Sequence, residues 1–479
     1  MDAKLIVDEV RLTPILISDP PLLNVQGVHQ PYTPRLVVEV ITRGGVSGLG
    51  ETYGDGVYLD LARPLAEALP GRSVTDVNAL FALAETLDPG RVSRSGAGSA
   101  AGPGAGPGAG SGSAAGSGSG TGDEAAHQAV HKAALEAGVG AALDARVDAG
   151  VDAGGLRGVR TAEKLRLSVV SAFETACLDA LGKTLGLPVH ALLGGKVRDS
   201  VEYSAYLFHR WATHPGGGPV DDWGAALDPA GVVAQARRFD RAYGFRSFKL
   251  KGGVFAPEQE IAAIRALAEE FPGRPLRLDP NGARSVETSL AVARELKDVL
   301  EYLEDPASGT DAMAEIAAGT EVPLATNMCV TTFEEVPEAF AKGAVQIVLC
   351  DHHYWGGLGR TRELAALCRT YGVGLSMHSN THLGVSLAAM TQVAATLPGL
   401  HHACDTHYPW QTEDVVTTRP VFRDGRLTVS DTPGLGVELD REALAALHRR
   451  WREDDGGYRD RDDAAAMRAA NPDWTPRTW

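Results

Sequence analysis

Cysteine, aromatic residues and positive charge are all scarce in this chain of 479 residues. Its five cysteines (Cys177, Cys329, Cys350, Cys368, Cys404) are scattered and never form Cys-x-x-Cys. That excludes a disulfide scaffold and a zinc ribbon, and suits small buried hydrophobes in a reducing compartment. No stretch approaches the roughly 18 uninterrupted apolar residues of a membrane span. The N-terminal residues Met-Asp-Ala-Lys-Leu-Ile-Val-Asp-Glu-Val carry charge where a signal peptide needs an apolar run. A cytoplasmic protein is expected. Lys+Arg total 45 against Asp+Glu 61, a net charge of −16, which argues against nucleic acid or an anionic membrane as partner. An anionic ligand would need a local exception to that field.

What is present is ordinary for a large globular chain, with 44% hydrophobic and 22% charged residues. The first 60 or so residues read as strands, Leu5 to Leu16 and Arg35 to Thr42, with Gly44-Gly45 and Gly48 to Gly50 as turns. Helical spacing follows over residues 60–88. From about Ser95 to Gly122 nearly every residue is Gly, Ala, Ser or Pro. Such a segment buries too little apolar surface to offset its ordering entropy, and reads as a disordered insertion. Val169 to Leu185 is helical, and Val201 to Phe208 is a strand. From there helices alternate with short strands at 247–251, 276–279, 300–304, 324–326, 347–350 and 375–378. That alternation means parallel βαβ units, about seven strands, and suits a closed (β/α) barrel better than an open sheet. After about Leu400 the chain returns to strands, Val421 to Val429, then a charged helix, Arg441 to Arg452, and a Pro/Trp-rich end.

In a parallel barrel, chemistry sits at the C-terminal ends of the strands, and here those ends are polar one after another. Lys249-Leu250-Lys251 puts two ammonium groups on one strand face, where crowding and burial would lower a lysine pKa and let either act as a base. The next strands end in Asp279-Pro280-Asn281-Gly282, Glu304-Asp305-Pro306, Asn327, Asp351 and His378-Ser379-Asn380. Singly, these acids also suit turns and helix caps. Together, Asp279, Glu304 and Asn327 offer three oxygen ligands to a hard divalent cation, with Mg²⁺ the best match. Lysines on one flank and a histidine on the other would face each other across it. Such a layout suits removal of a proton α to a carboxylate, with Asp351 orienting the His378 imidazole.

These motifs, with Ala325-Thr326-Asn327-Met328, Trp355 after Asp351, and His382, resemble the enolase superfamily, in its acid-sugar branch, the glucarate dehydratase family. The resemblance spans nearly the whole chain apart from the low-complexity insertion. It implies a modified (β/α) barrel over residues 166–420, capped by an α+β domain from residues 1–165 with the segment 421–479. It implies Lys251 as the base on one face and His378, paired with Asp351, as the base on the other. Lys249 and Asn281 would support the enediolate, and Asp279, Glu304 and Asn327 would hold Mg²⁺. His378 would then return its proton to the departing β-hydroxyl. His29, Tyr206, Ser379, Asn380 and His407 match substrate-side positions, and Arg477 is a candidate partner for the distal carboxylate. The implied reaction takes D-glucarate or L-idarate to 5-dehydro-4-deoxy-D-glucarate and water.

Three departures stand out. The insertion interrupts the capping region, the segment after Glu304-Asp305-Pro306 is short, which makes Asp311 an alternative metal ligand, and His352 stands where a proline is expected. Competing readings are a dehydratase for another aldarate or aldonate, an epimerase or racemase with the same bases, and a non-catalytic binding protein on the same scaffold. The expected partners are a small anionic acid sugar and further copies of the chain in a homo-oligomer, with neither nucleic acid nor membrane.

Overall fold

The computed structural model describes residues 2–86 and 162–479, and the Gly/Ala/Ser/Pro-rich insertion lies outside them. Three long strands open the chain: β1 (Val7–Ser18), β4 (Tyr32–Thr42) and β5 (Ser47–Tyr53), antiparallel in the order β1-β4-β5. Between β1 and β4 a tight hairpin, β2 (Leu23–Asn24) with β3 (Gly27–Val28), delivers His29. Gly48 and Gly50 are not turn residues, as their sequence suggested, but lie within β5. The helix Ala162–Leu185 rides directly on that strand. A Cβ at Gly48 would sit 2.0 Å from the Ala176 carbonyl oxygen, and one at Gly50 1.9 Å from that of Ala172, so only glycine permits the approach.

Next comes the barrel, and it has eight parallel strands rather than about seven. These are β6 (Ser200–Phe208), β7 (Phe248–Lys251), β8 (Leu276–Asp279), β9 (Leu300–Glu304), β10 (Leu324–Thr326), β11 (Ile347–Cys350), β12 (Gly374–Met377) and β13 (Cys404–Thr406). They pair in the order β12-β11-β10-β9-β8-β7-β6-β13. The ring nearly closes between β12 and β13, where the Ser376 hydroxyl donates to the Ala403 carbonyl at 2.9 Å. The eighth strand escaped the sequence reading because it is three residues long, one of them an aspartate.

Local chemistry explains the alternation. The helix Pro229–Tyr243 starts with Asp228 accepting from the Gly231 amide (2.8 Å), has proline in its first turn, and stops at Gly244 in the left-handed region. Its strands are short, buried runs, as parallel strands covered on both faces must be. Inside the barrel Tyr302, Ala325, Ile347 and Leu349 form a small apolar cluster apart from the main core. By the strand period of two, Tyr302 shares a face with Glu304, so this cluster floors the polar mouth.

The tail returns first to the barrel and then to the opening sheet. Strand β14 (Arg426–Thr428) pairs antiparallel with β6, and the helix Arg441–Arg452 packs on β1. A last helix, Asp463–Ala470, absent from the sequence reading, packs on the His29 hairpin, where Asn24 donates to Asp463 at 2.9 Å. No helix among the described residues is long and apolar enough to cross a membrane.

Candidate active site

Strand register brings the polar ends together: Lys251 lies opposite Asp279, and Tyr206 opposite Lys249. The Lys249 ammonium is fully buried and bonds Glu304 Oε2 and Asp405 Oδ2, each at 2.5 Å, with Asp279 Oδ2 at 3.9 Å. The Lys251 ammonium bonds Asp279. Burial alone would drive the Lys249 proton off, but Asp405 and Glu304 outweigh it and raise its pKa. Lys249 is therefore held as a cation, and the sequence-based possibility that it serves as a base gives way.

Two left-handed residues shape the acidic loops. Asn281 (φ 50°) donates its backbone amide to Asp279 Oδ1 at 2.9 Å. Asp305 (φ 36°) is no helix cap: it accepts from the Thr326 hydroxyl at 2.5 Å and the Asn327 amide at 2.9 Å, fixing the turn that presents Asn327. Burial first, then Asp279, raises the Asp305 carboxyl to about 7.

The oxygen set fits a hard divalent cation. Glu304 Oε1, Asn327 Oδ1 and Asn281 Oδ1 are buried without a hydrogen-bond partner. Burial and then Asp279 push the Glu304 carboxyl well above its usual range, favouring its protonated form, and a divalent cation beside it would favour the ionised carboxylate instead. Asp311 does not belong to it. That residue is 89% exposed on the helix Thr310–Gly319 and bonds Lys342, because the short segment after Pro306 turns straight into the helix.

On the opposite flank His378 Nδ1 lies 3.2 Å from Asp351 Oδ2. Burial lowers the His378 pKa to about 4, Asp351 opposing and Lys251 adding to the shift, so the ring is neutral near pH 7. Burial would raise the Asp351 carboxyl, but His353, His378 and His382 outweigh it and hold it well below the usual range. Between the flanks stands Tyr206, whose ring lies 4.7 Å from the Lys249 ammonium, 5.0 Å from that of Lys251 and 6.4 Å from the imidazole of His378. Its hydroxyl is already committed, donating to the Ser379 carbonyl at 2.9 Å. Asn380 is half-buried, and its side-chain oxygen accepts from the Thr381 amide.

His29 and His407 meet above this mouth, stacked at 6.1 Å with 14° between their planes. Asp19 Oδ2 takes up His29 Nδ1 at 3.2 Å and the Thr33 hydroxyl at 2.6 Å. His29 Nε2 and His407 Nε2 are buried without partners. Burial drops the His407 pKa to about 3. The cation here is not Arg477, which is exposed at the C-terminus with its guanidinium 5.5 Å from the Trp479 ring. It is Arg461, 8% exposed, 2.9 Å from Asp463 and 3.7 Å from Asp19.

Four site residues were missed from sequence: Asp405, Arg461, Asp19 and His353. Asp405 stands two residues before His407 and joins Lys249 to Arg277 (3.0 Å), which continues to Glu301 (2.7 Å). The signal for it lay in Asp-Thr-His-Tyr-Pro-Trp, where the histidine drew attention from the acid beside it.

A family profile described as "Enolase C-terminal domain-like" matches residues 231–443. A probable glucarate dehydratase of Streptomyces coelicolor is 65% identical over 478 residues, 99% of this chain and 98% of that protein. An enolase of Thermobispora bispora solved with magnesium and formate superposes with a TM-score of 0.82 at 46% identity, covering 99% of this chain and 100% of that one. An enolase of Pseudomonas fluorescens with bound magnesium, potassium and tartrate gives 0.83 at 40% identity, covering 98% of each chain. The chain belongs to the enolase superfamily. Within it, it is an acid-sugar dehydratase, a hydro-lyase of the glucarate dehydratase kind.

Proposed function

We propose that the protein is a Mg²⁺-dependent dehydratase of D-glucarate and L-idarate, producing 5-dehydro-4-deoxy-D-glucarate and water. One observation carries this reading: Lys251 and His378 flank Tyr206 from two sides, beside a buried oxygen set with unpartnered acceptors on Glu304, Asn327 and Asn281. Asp279, Glu304 and Asn327 would hold the cation. Mg²⁺, when bound, supplies the charge that makes a proton α to a carboxylate removable. The bound tartrate of the Pseudomonas fluorescens enolase, itself a hydroxy diacid, supports a diacid substrate.

His378, neutral at working pH, takes the α-proton of D-glucarate on Nε2 while Asp351 receives Nδ1–H. Lys251, in its neutral amine form, takes the corresponding proton of the epimer from the other side. Lys249, held as a cation, and the Asn281 side chain steady the enediolate. The imidazolium of His378 then gives its proton to the β-hydroxyl, the C–O bond breaks, water leaves, and the enol becomes the ketone. The cap, drawn from residues 1–165 and 421–479, reads the far end of the substrate through His29, His407 and Arg461. The barrel, residues 166–420, carries the chemistry.

The test is a panel of aldarates and aldonates assayed for keto product with and without EDTA. Turnover of D-glucarate and L-idarate, lost on chelation, is expected. Preference for a monoacid sugar, or full turnover in EDTA, would overturn the reading.

A further inference from the structure

Behind the His378–Asp351 pair lies a third ring. His353 Nδ1 is 2.8 Å from Asp351 Oδ1, and the His353 amide donates to the same oxygen at 3.0 Å. The ring's other nitrogen, Nε2, is 3.0 Å from the Glu51 carbonyl oxygen and 3.0 Å from the Ser386 hydroxyl. A hydroxyl can donate or accept, but a carboxylate and a carbonyl oxygen only accept. One acceptor-only oxygen lies at each ring nitrogen, and both are served only when both nitrogens carry hydrogen. We propose that His353 is a standing imidazolium whose charge is shared with Asp351, and that it acts as a positioning residue that sets the basicity of His378.

The surroundings leave this charge with one ring. His352, whose centroid is 4.1 Å away, is pushed well below its usual pKa by burial and then by His353. His382 is lowered by burial, and its Nε2 is 3.9 Å from Asp351 Oδ2. From β5, the Tyr53 hydroxyl donates to Asp351 Oδ2 at 3.4 Å, and the Glu51 carboxylate is taken by Arg35 at 2.6 Å. On the far side of His378 are Lys249 and Lys251. Asp351 thus faces His353 through one oxygen and His378 through the other. Were that carboxylate uncompensated, it would hold a proton on His378. With His353 charged, His378 starts neutral, ready to take the α-proton, and its conjugate acid stays strong enough to protonate a leaving hydroxyl. The inference rests on His378 being the base of the proposed reaction, but its test does not.

The magnesium-loaded protein, labelled with ¹⁵N-histidine, is titrated while long-range ¹H–¹⁵N imidazole spectra are recorded. One ring protonated on both nitrogens at neutral pH is expected, absent from His353→Gln. In that variant the His378 midpoint should rise by about one pH unit or more, because a nearby cation has gone. Ser386→Ala, which disturbs packing but leaves the cation, should leave that midpoint in place. A His353 ring with a single N–H, its Nε2 accepting from Ser386, would overturn the proposal. So would a folded His353→Gln protein with an unmoved His378 midpoint. If that variant does not fold, the wild-type spectrum, assigned by elimination with the other histidine variants, decides. Absence of turnover on every acid sugar would sink the proposed reaction and leave the His353 spectrum standing.

Discussion

Asp351→Asn should disable one face of the site and spare the other, and the structure dictates why. Asp351 Oδ1 receives two donors from His353, its amide at 3.0 Å and its ring at 2.8 Å, and a backbone amide cannot turn away. The asparagine oxygen must therefore take that position, which aims its NH₂ at His378 Nδ1, now 3.2 Å from Oδ2. Facing a donor, His378 switches to the tautomer with hydrogen on Nε2, the nitrogen meant to accept the α-proton. Reversing the switch forfeits a hydrogen bond worth about 1 kcal/mol and leaves donor against donor, at about 1–3 kcal/mol more. The imidazolium also loses its anionic partner, so a total near 4 kcal/mol, roughly a thousandfold in rate, is expected. The assay is paired: loss of the α-proton of D-glucarate and of L-idarate, followed by exchange in D₂O. D-Glucarate exchange should fall about a thousandfold, and L-idarate exchange, which needs Lys251, by less than about tenfold. Equal losses on both epimers, or none on D-glucarate, would refute the reasoning.

Glu51→Ala strips Arg35 of its buried partner and the Leu383 and Ser386 amides of their acceptor, and should cost about 3–5 kcal/mol in denaturant unfolding. A change below about 1 kcal/mol would mean that this joint between β5 and the helix Gly384–Ala395 is not structural. Saturating Mg²⁺ at 100 times its Kd should add about 2.7 kcal/mol of stability, with the gain abolished in Asn327→Leu. Equal melting with and without Mg²⁺ would argue against the assigned ligands. Glu174, raised to about 7 by burial while accepting from the Leu358 and Gly359 amides, binds its proton more tightly folded than unfolded. Its stabilising contribution is complete below about pH 4.5 and is lost as pH rises through about 7, so wild type should lose about 3 kcal/mol relative to Glu174→Gln between pH 4.5 and 8. A stability difference that stays flat across that range would contradict it.

The barrel was legible because each strand is a short apolar run closed by polar residues, and that signal is local. Lys249, Lys251, Asp279, Glu304, Asn327 and His378 all announced themselves as strand ends. What was not legible depends on pairing across long stretches of chain. Asp405 meets Lys249 across 156 residues, on a strand too short to show a period. Arg461 sits in Arg-Asp-Arg-Asp-Asp, a pattern that reads as a solvated charge run until the helix Asp463–Ala470 folds it over the His29 hairpin. Arg477 was the candidate because it follows Pro472-x-Trp474 near the C-terminus, yet it is exposed, with its guanidinium against the Trp479 ring. The glycines of β5 failed for a different reason: glycine signals a turn or a close approach equally well, and only the helix above the strand decides which.

The charge balance of the mouth ties these pieces to the reaction. Asp279, Glu304 and Asp405 face Lys249 and Lys251 in a buried cluster, three acids against two ammonium groups, and the crowding shows in the Glu304 carboxyl, which burial and Asp279 push well above its usual range. Arg277 does not relieve that crowding, since its guanidinium is divided between Asp405 and Glu301. A diacid substrate would approach a buried site rich in acids inside a protein of net charge −16. A divalent cation held by these acids would supply positive charge at the point where the enediolate forms, and Arg461, beside Asp19, would answer the far end. The local exception that an anionic substrate requires is therefore not a basic patch. It is a buried cluster with one acid more than its lysines, which a divalent cation would offset.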